Sequence, residues 1–398
     1  MSILAAPEPE TRPLSENPSC PCAKEPSTEG KNMAKGLAGP WRRVQLFFRT
    51  RVVEGVLMRR QAERFYLILG GHINFQTLSA AVRLDLFGLL KKHRGLTCAE
   101  IARHLSVEEK PARILLLGCT ALGLLRKSGT RYYNRRLAQR LLVRDAPENV
   151  VAIVEWQHHI NYRAMHSFYD AIKANRNVGL DEFDGNENTL YERLAHDPKR
   201  EQIFQDAMEA ISVQANRMLA KFVDLSDVRR LVDVGGGNGA NAIALVSKYP
   251  RLRATVFDSR SVCEIAKENI SSSGLAERLD TFVGDCFADE FPTNADCFLF
   301  SHFLTIWSEQ RNRLLLQKAF DALPSGGKVI VFNMMQHDSR DGPMSAAVAS
   351  PYFLTLATGE GMLYCWNDYE SWMKDAGFSK VERLLLPRDH GAIIGTKV

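Results

Sequence analysis

Arg230-Leu231-Val232-Asp233-Val234-Gly235-Gly236-Gly237-Asn238-Gly239 is the stretch from which the organisation of this chain can be read. Its first half is a short apolar run suited to a buried strand, and Ala240 to Lys248 behind it has helical spacing. Glycines between the two let the backbone turn sharply and approach a ligand, and the first helical turn offers unpaired N–H groups. A glycine loop of this kind also serves dinucleotide-binding folds, so the flanking sequence has to decide.

Downstream, Ala254-Thr255-Val256-Phe257-Asp258 reads as a second strand ending in an acid 25 residues after Asp233, well placed to accept from ribose hydroxyls. Thr281-Phe282-Val283-Gly284-Asp285 reads as a third, and Cys286 and Phe287 after it could flank an adenine. Strands four and five are expected at Ala295 to Phe300 and Lys328 to Asn333. Lys380 to Pro387 and His390 to Lys397 read as a closing antiparallel pair. The expected class is therefore α/β, five alternating strands and helices and then a terminal hairpin, which differs from a nicotinamide-binding domain.

That order, with the motif Asp-x-Gly-x-Gly-x-Gly at Asp233 to Gly239, resembles the seven-stranded, Rossmann-like S-adenosylmethionine (SAM) methyltransferases. From about Phe65 onward the chain resembles the small-molecule O-methyltransferases that include hydroxyindole and plant phenolic enzymes. The resemblance implies a helical, winged-helix-like N-terminal domain used for homodimerisation over about 36–225, a SAM-binding domain over 226–398 and a small-molecule pocket. It also implies SAM contacts from Asp233, Gly235, Gly237, Asp258, Asp285, Cys286, Phe287 and Ser301.

The catalytic positions depart from that family. Its basic histidine sits in a His-Asp-Trp segment after strand four, where this chain has Ser301-His302-Phe303-Leu304-Thr305-Ile306-Trp307. Trp307 sets the register, so Thr305 stands at the base and Ile306 at its acidic neighbour. The two glutamates that flank the base in the family fall at Asn333 and Leu363. Loss of all of them disfavours phenol O-methylation by the usual base. Carbon methylation next to the carbonyl of a 2-oxo acid is the leading expectation, with a divalent metal or iron as a candidate helper. Ser350-Pro351-Tyr352-Phe353 and the ending Asp389 to Ile394 resemble the branch that includes the 2-ketoarginine methyltransferases. O- or N-methylation with a relocated base, and a SAM-binding scaffold without transfer, stay open.

Candidate catalytic side chains are His302, just past strand four, and His158, His159 and Arg163 on the segment Gln157 to Arg163. Arg163 could pair with a substrate carboxylate, and Tyr162, Met208 and Ser212 are candidate acceptor contacts. Glu155 or Asp170 could meet a cationic substrate. Helical histidines are commonly satisfied within a core, and their spacing here is no metal signature by itself. His390 reads as a turn residue.

The chain has 398 residues, 45% of them hydrophobic, enough for two cores. With 51 basic against 46 acidic residues, composition points to no nucleic-acid partner. Residues 1–35, rich in proline, read as a disordered leader carrying the pair Cys20 and Cys22, and a basic amphipathic helix is expected from Trp41 to about Ile73. No apolar run is long enough to span a bilayer, and scattered cysteines suit a reducing, cytoplasmic setting. Thr97 to Ala102 opens like a capped helix, a second helix runs from Pro111 to Leu122, and a hairpin follows at Lys127 to Tyr133. That pattern suggests DNA binding in isolation, but the second helix is too apolar to read bases.

Overall fold

A computed structural model describes residues 54–398. The expected leader, the Cys20 and Cys22 pair and the start of the basic helix lie outside the described residues. Residues up to Gly71 form one unit and those from His72 onward another. In the first, helix α1 (Glu54–Leu69) exposes Phe65, Tyr66, Ile68 and Leu69.

The larger unit begins with the helical region. It contains α2 (Gly71–Arg83), α3 (Leu86–Lys92), strand β1 (Leu96–Thr97), α4 (Cys98–Leu105), α5 (Glu109–Ala121), β2 (Leu125–Ser128), β3 (Arg131–Asn134) and α6 (Arg136–Leu141). The three strands form a small antiparallel sheet in the order β1-β3-β2. Thr97 caps α4: its Oγ1 accepts from Glu100 N (3.3 Å), and Glu100 Oε2 accepts from Thr97 N (2.7 Å). Ile114 and Leu117 of α5 are 64% and 70% exposed, an apolar face where a DNA-reading helix would carry polar groups.

Next come α7 (Val151–Trp156), a π turn (Gln157–Asn161), short helical turns and α8 (Phe168–Ala174). The segment that carries the two histidines is thus a π turn, in which successive residues do not step by the 100° of a regular α-helix. α9 (Leu190–Leu194) and the 25-residue α10 (Pro198–Phe222) follow, the latter capped by Asp197.

The remainder is one seven-stranded sheet. Its strands are β4 (Arg230–Val234), β5 (Arg253–Asp258), β6 (Leu279–Val283), β7 (Cys297–Ser301), β8 (Lys328–Met334), β9 (Lys380–Leu385) and β10 (His390–Thr396). They lie in the order β6-β5-β4-β7-β8-β10-β9, with β10 antiparallel to both neighbours and the first five strands parallel. α11 (Ala240–Lys248), α12 (Arg260–Ser273), α13 (Glu309–Ala322), α14 (Met344–Tyr352) and α15 (Trp366–Asp375) complete it. Both faces are covered, which is why the central strands read as continuous apolar runs. Alternation divides them: Val232, Phe298, Phe300 and Val331 pack with α13 and α15, while Leu231, Leu299 and Phe332 share a core with α10, α11 and α12.

Two sequence expectations need correction. The third strand stops at Val283, leaving Asp285 in the following loop, and His390, expected both as the start of the last strand and as a turn residue, is the first residue of β10, paired with Met334. Loss of the Thr97 cap by Thr97→Ala is expected to lower unfolding stability by about 1 kcal/mol in urea titrations, leaving affinity for S-adenosylhomocysteine unchanged.

Candidate functional site

Strand order reverses between β4 and β7, and the crevice outside the carboxyl ends of such strands is where open α/β sheets take ligands. The loop after β4 enters it with Gly235, Gly237 and Gly239 at φ 67°, 58° and 80°, a region that disfavours side chains. A Cβ on Gly235 would stand 2.1 Å from the Phe303 ring. From β5, Asp258 pins the loop: one carboxylate oxygen accepts from Gly237 N (3.0 Å), the other from Ser259 N (2.8 Å). Burial raises the Asp258 pKa, and these two bonds work against that rise.

Asp233 is fully buried beneath the loop, and neither of its oxygens has a hydrogen-bond partner. Burial first, and Asp258 second, push its pKa up to about 8. Beyond β6, Asp285 Oδ1 accepts from Phe287 N (2.9 Å), and Lys318 Nζ binds the carbonyls of Cys286 (2.8 Å) and Phe287 (3.1 Å). Burial pushes the Cys286 thiol to about 12, so it stays protonated. Phe287 meets Trp307 edge to face at 4.8 Å, and the Arg311 guanidinium lies 4.7 Å and 5.1 Å from the two rings. Arg311 is also paired with Glu360 at 3.1 Å.

Past β7, Asn241 Nδ2 donates to Ser301 Oγ (2.9 Å), and Ser301 Oγ lies 3.3 Å from His302 Nδ1. His302 Nε2 is enclosed without a partner, and burial pushes the imidazole down to about 3. The positions expected for the family's base and its two flanking acids are closed. Thr305 is buried and donates to His302 O (3.2 Å), Asn333 Nδ2 donates to Tyr369 Oη (3.1 Å), and Leu363 is buried. The turn through Gly361 lies against the first of them, since a Cβ there would stand 2.1 Å from Thr305 O. Thr358 Oγ1 and Tyr364 Oη add hydrogen bonds to the carbonyls of Ile306 and Trp307.

Other candidates stand on the helical region. His158 has both nitrogens occupied, by Ser79 Oγ (3.0 Å) and Arg83 (3.1 Å), and burial followed by Arg83 lowers its pKa. His159 Nε2 lies 3.4 Å from Glu155, which also approaches Arg144 at 3.6 Å. Arg163 is exposed; Tyr162 stacks on Phe75 at 5.5 Å and donates to His72 O. Met208 packs into the core around Trp156 and Tyr352, and Ser212 is half-buried. Among the described residues no group of three or more His, Cys, Asp or Glu is placed to hold a metal ion, and no helix is long and apolar enough to cross a membrane. Sequence reading missed Asn241 and Arg311, which carry no motif, and the place of His390 beside His302, which depends on strand pairing.

Residues 165–379 match the O-methyltransferase domain model and 66–144 the O-methyltransferase dimerisation domain model. The chain belongs to this O-methyltransferase family. It is 38% identical to L-tyrosine C(3)-methyltransferase of Streptomyces lavendulae over 83% of this chain and 91% of that one. With 3-hydroxy-5-methyl-1-naphthoate 3-O-methyltransferase of Streptomyces sahachiroi it shares 36% over 81% and 91%. Among solved structures, the methyltransferase SibL superposes with TM-score 0.74 at 38% identity, covering 83% of this chain and 98% of the other. Human N-acetylserotonin methyltransferase in complex with SAM gives 0.73 at 26%, covering 85% and 98%.

The chain is accordingly a SAM-dependent methyltransferase acting on small molecules. Its crevice fits that cofactor: Gly235 and Gly236 leave no room for a Cβ, Gly237 and Gly239 hold left-handed backbone, and Asp233 beneath them is a buried acid without a hydrogen-bond partner. Asp233 ionises near pH 4 when unfolded but near 8 when folded, so the native chain holds the extra proton between them. Stability of the cofactor-free enzyme should therefore fall as pH rises from about 4 to about 8. Urea unfolding of wild type and Asp233→Asn across that range should show the slope in wild type and its reduction in the variant.

Proposed function

We propose that this enzyme transfers the methyl group of SAM to a carbon atom, and that the acceptor is a phenolic amino acid methylated on the ring next to its hydroxyl. The observation that carries the reading is the closed base position, where Thr305, Asn333 and Leu363 are buried and none can take a phenol proton for the family's usual O-methylation. The tyrosine C(3)-methyltransferase relative supports the same acceptor chemistry. Carbon methylation of a 2-oxo acid, the leading expectation from sequence, is electronically similar. In both, the nucleophile is a carbon beside one that bears an oxygen, and loss of a proton makes oxygen and carbon compete for the methyl group. The relative moves the choice from the oxo acid to the phenol.

Bound SAM supplies an electrophilic methyl on a cationic sulfur. Asp258, facing the loop from β5, is assigned to the ribose hydroxyls, and Asp285, Cys286 and Phe287 to the adenine side. Asp233 balances the positive end of the cofactor, Gly235 and Gly237 let the backbone approach it, and Ser301 borders the crevice. On the helical side, Tyr162, Met208 and Ser212 are assigned to the acceptor pocket and Arg163 to its carboxylate. His159, with Glu155 on one nitrogen, is a further group for proton traffic, whereas His158 serves to anchor the π turn to α2. The apolar Ile114 and Leu117 within the dimerisation match support a homodimer.

Incubation with CD3-labelled SAM and a panel of phenolic amino acids, 2-oxo acids and simple amines, with and without chelator, is expected to give a ring-methylated phenol by NMR. Exclusive transfer to 2-oxo acids, oxygen or nitrogen would overturn the acceptor. Asp258→Asn should weaken S-adenosylhomocysteine binding at least about tenfold, a loss of about 1.4 kcal/mol, and retained affinity would overturn the ribose assignment.

A further inference from the structure

Two histidines far apart in sequence meet at the carboxyl edge of the sheet. His302 follows β7 and His390 opens β10 beside the end of β8, with ring centroids 5.4 Å apart. Both rings contact Phe332: His302 edge-on at 5.1 Å, His390 stacked at 5.6 Å. The backbone there is unusual. His302, Arg388 and Asp389 have φ of 55°, 60° and 60°, the left-handed region that residues with side chains adopt only where surroundings impose it. His302 N donates to Phe332 O (2.8 Å), Met335 N to Asp389 O (2.8 Å), and Ser345 Oγ to the Asp389 carboxylate (2.7 Å). The left-handed backbone lies at His302 and at the two residues before His390, outside the expected base position.

The bonds accommodate complementary protonation. His390 Nδ1 lies 2.8 Å from the Arg388 carbonyl, which can only accept, so the proton is on Nδ1 and Nε2 carries a lone pair. Ser301 Oγ accepts the Asn241 amide and lies 3.3 Å from His302 Nδ1; with the hydroxyl hydrogen directed to Nδ1, the His302 N–H stands at Nε2, the enclosed nitrogen without a partner. One ring then offers a donor and the other an acceptor, and a hydroxyl group satisfies both. Both imidazoles are neutral at neutral pH: burial lowers both, and for His390 the Arg388 carbonyl and Asp389 oppose it while the Arg388 guanidinium assists.

We infer that His302 and His390 together hold the acceptor's hydroxyl group, His390 Nε2 taking its proton and His302 Nε2–H donating to the oxygen left behind. This rests on the phenolic reading above. The O–H bond breaks and its proton passes to His390; the oxygen's electron pair delocalises to the neighbouring ring carbon. That carbon bonds the methyl group as the methyl–sulfur bond breaks and its electrons stay on sulfur. The hydrogen on the same carbon then leaves as a proton to solvent, and the ring regains aromaticity. The His302 bond withdraws density from oxygen and so favours carbon in the competition.

The test uses the full-length enzyme with SAM and two acceptors, L-tyrosine at pH 7 and a ring-fluorinated tyrosine with one free ortho carbon at pH 9, where its phenol is already ionised. His390→Asn should lower kcat on tyrosine about 100-fold, the scale of general-base catalysis, and lower turnover of the ionised phenol far less, since only the holding contact and not the proton transfer is lost there. His302→Leu should divert product toward the O-methyl ether, and His302→Gln, which keeps a donor, should restore the ring product. Unchanged S-adenosylhomocysteine affinity by calorimetry shows that the variants are folded. Equal loss on both phenols, or no loss on either, overturns the pair. Methylation at oxygen by the wild type overturns only the carbon reading, and the His390→Asn comparison still judges the pair. No transfer to any phenol overturns both.

Discussion

The grip of Asp258 on the left-handed glycine loop is the contact on which the rest of the site depends. A strand can end in three consecutive glycines only if something outside it fixes the turn, because glycine loses more conformational freedom on ordering than any other residue. Here β5 supplies the fixing carboxylate, and the Gly237 N–H and Ser259 N–H share it. That geometry leaves Asp233 below the loop with no donor of its own, so the cradle is pinned from the side and electrostatically unfinished from beneath. On the proposed assignment a cationic ligand completes it, which accounts for keeping a buried acid that costs the empty chain stability.

The parallel core was legible because its determinants are local. Arg230 to Val234 and Ala240 to Lys248 form the elements that apolar runs and a glycine junction require, and the order of acids along the chain follows the order of strands. Thr97 and Glu100 likewise carried their capping in adjacent residues. The site was less legible wherever it depends on partners distant in sequence. The π turn at Gln157–Asn161 leaves no periodic mark strong enough to contradict a straight helix, so the directions of His158 and His159 could not be derived. His390 was read as a turn residue because its meaning lies in the register of β10 against β8, which no local pattern encodes.

The substitutions at the family's base position are mutually consistent. A threonine there is small enough for the Gly359 to Gly361 turn to close over it, and Gly361 must lack a side chain because it lies against the Thr305 carbonyl. Asn333, freed from flanking a base, satisfies the Tyr369 hydroxyl in the core between sheet and α15. Thr305, Asn333 and Leu363 thus form packed, hydrogen-bonded structure with no ionisable side chain among them.

Closing that corner confines proton chemistry to other walls of the crevice. At the carboxyl edge of β7 and β8, His302 Nε2 has no partner among the described residues and His390 is bonded through Nδ1 to Arg388 O, while the His158 nitrogens are both occupied. The sheet itself brings the pair together, since β10 runs antiparallel beside β8 and therefore begins where the parallel strands end. A family whose base lies on the loop after β7 can thus move its proton acceptor to the far strand without altering the cofactor loop. Position relative to the methyl donor is set by the sheet, which does not change, and identity of the acceptor atom by side chains around it, which do.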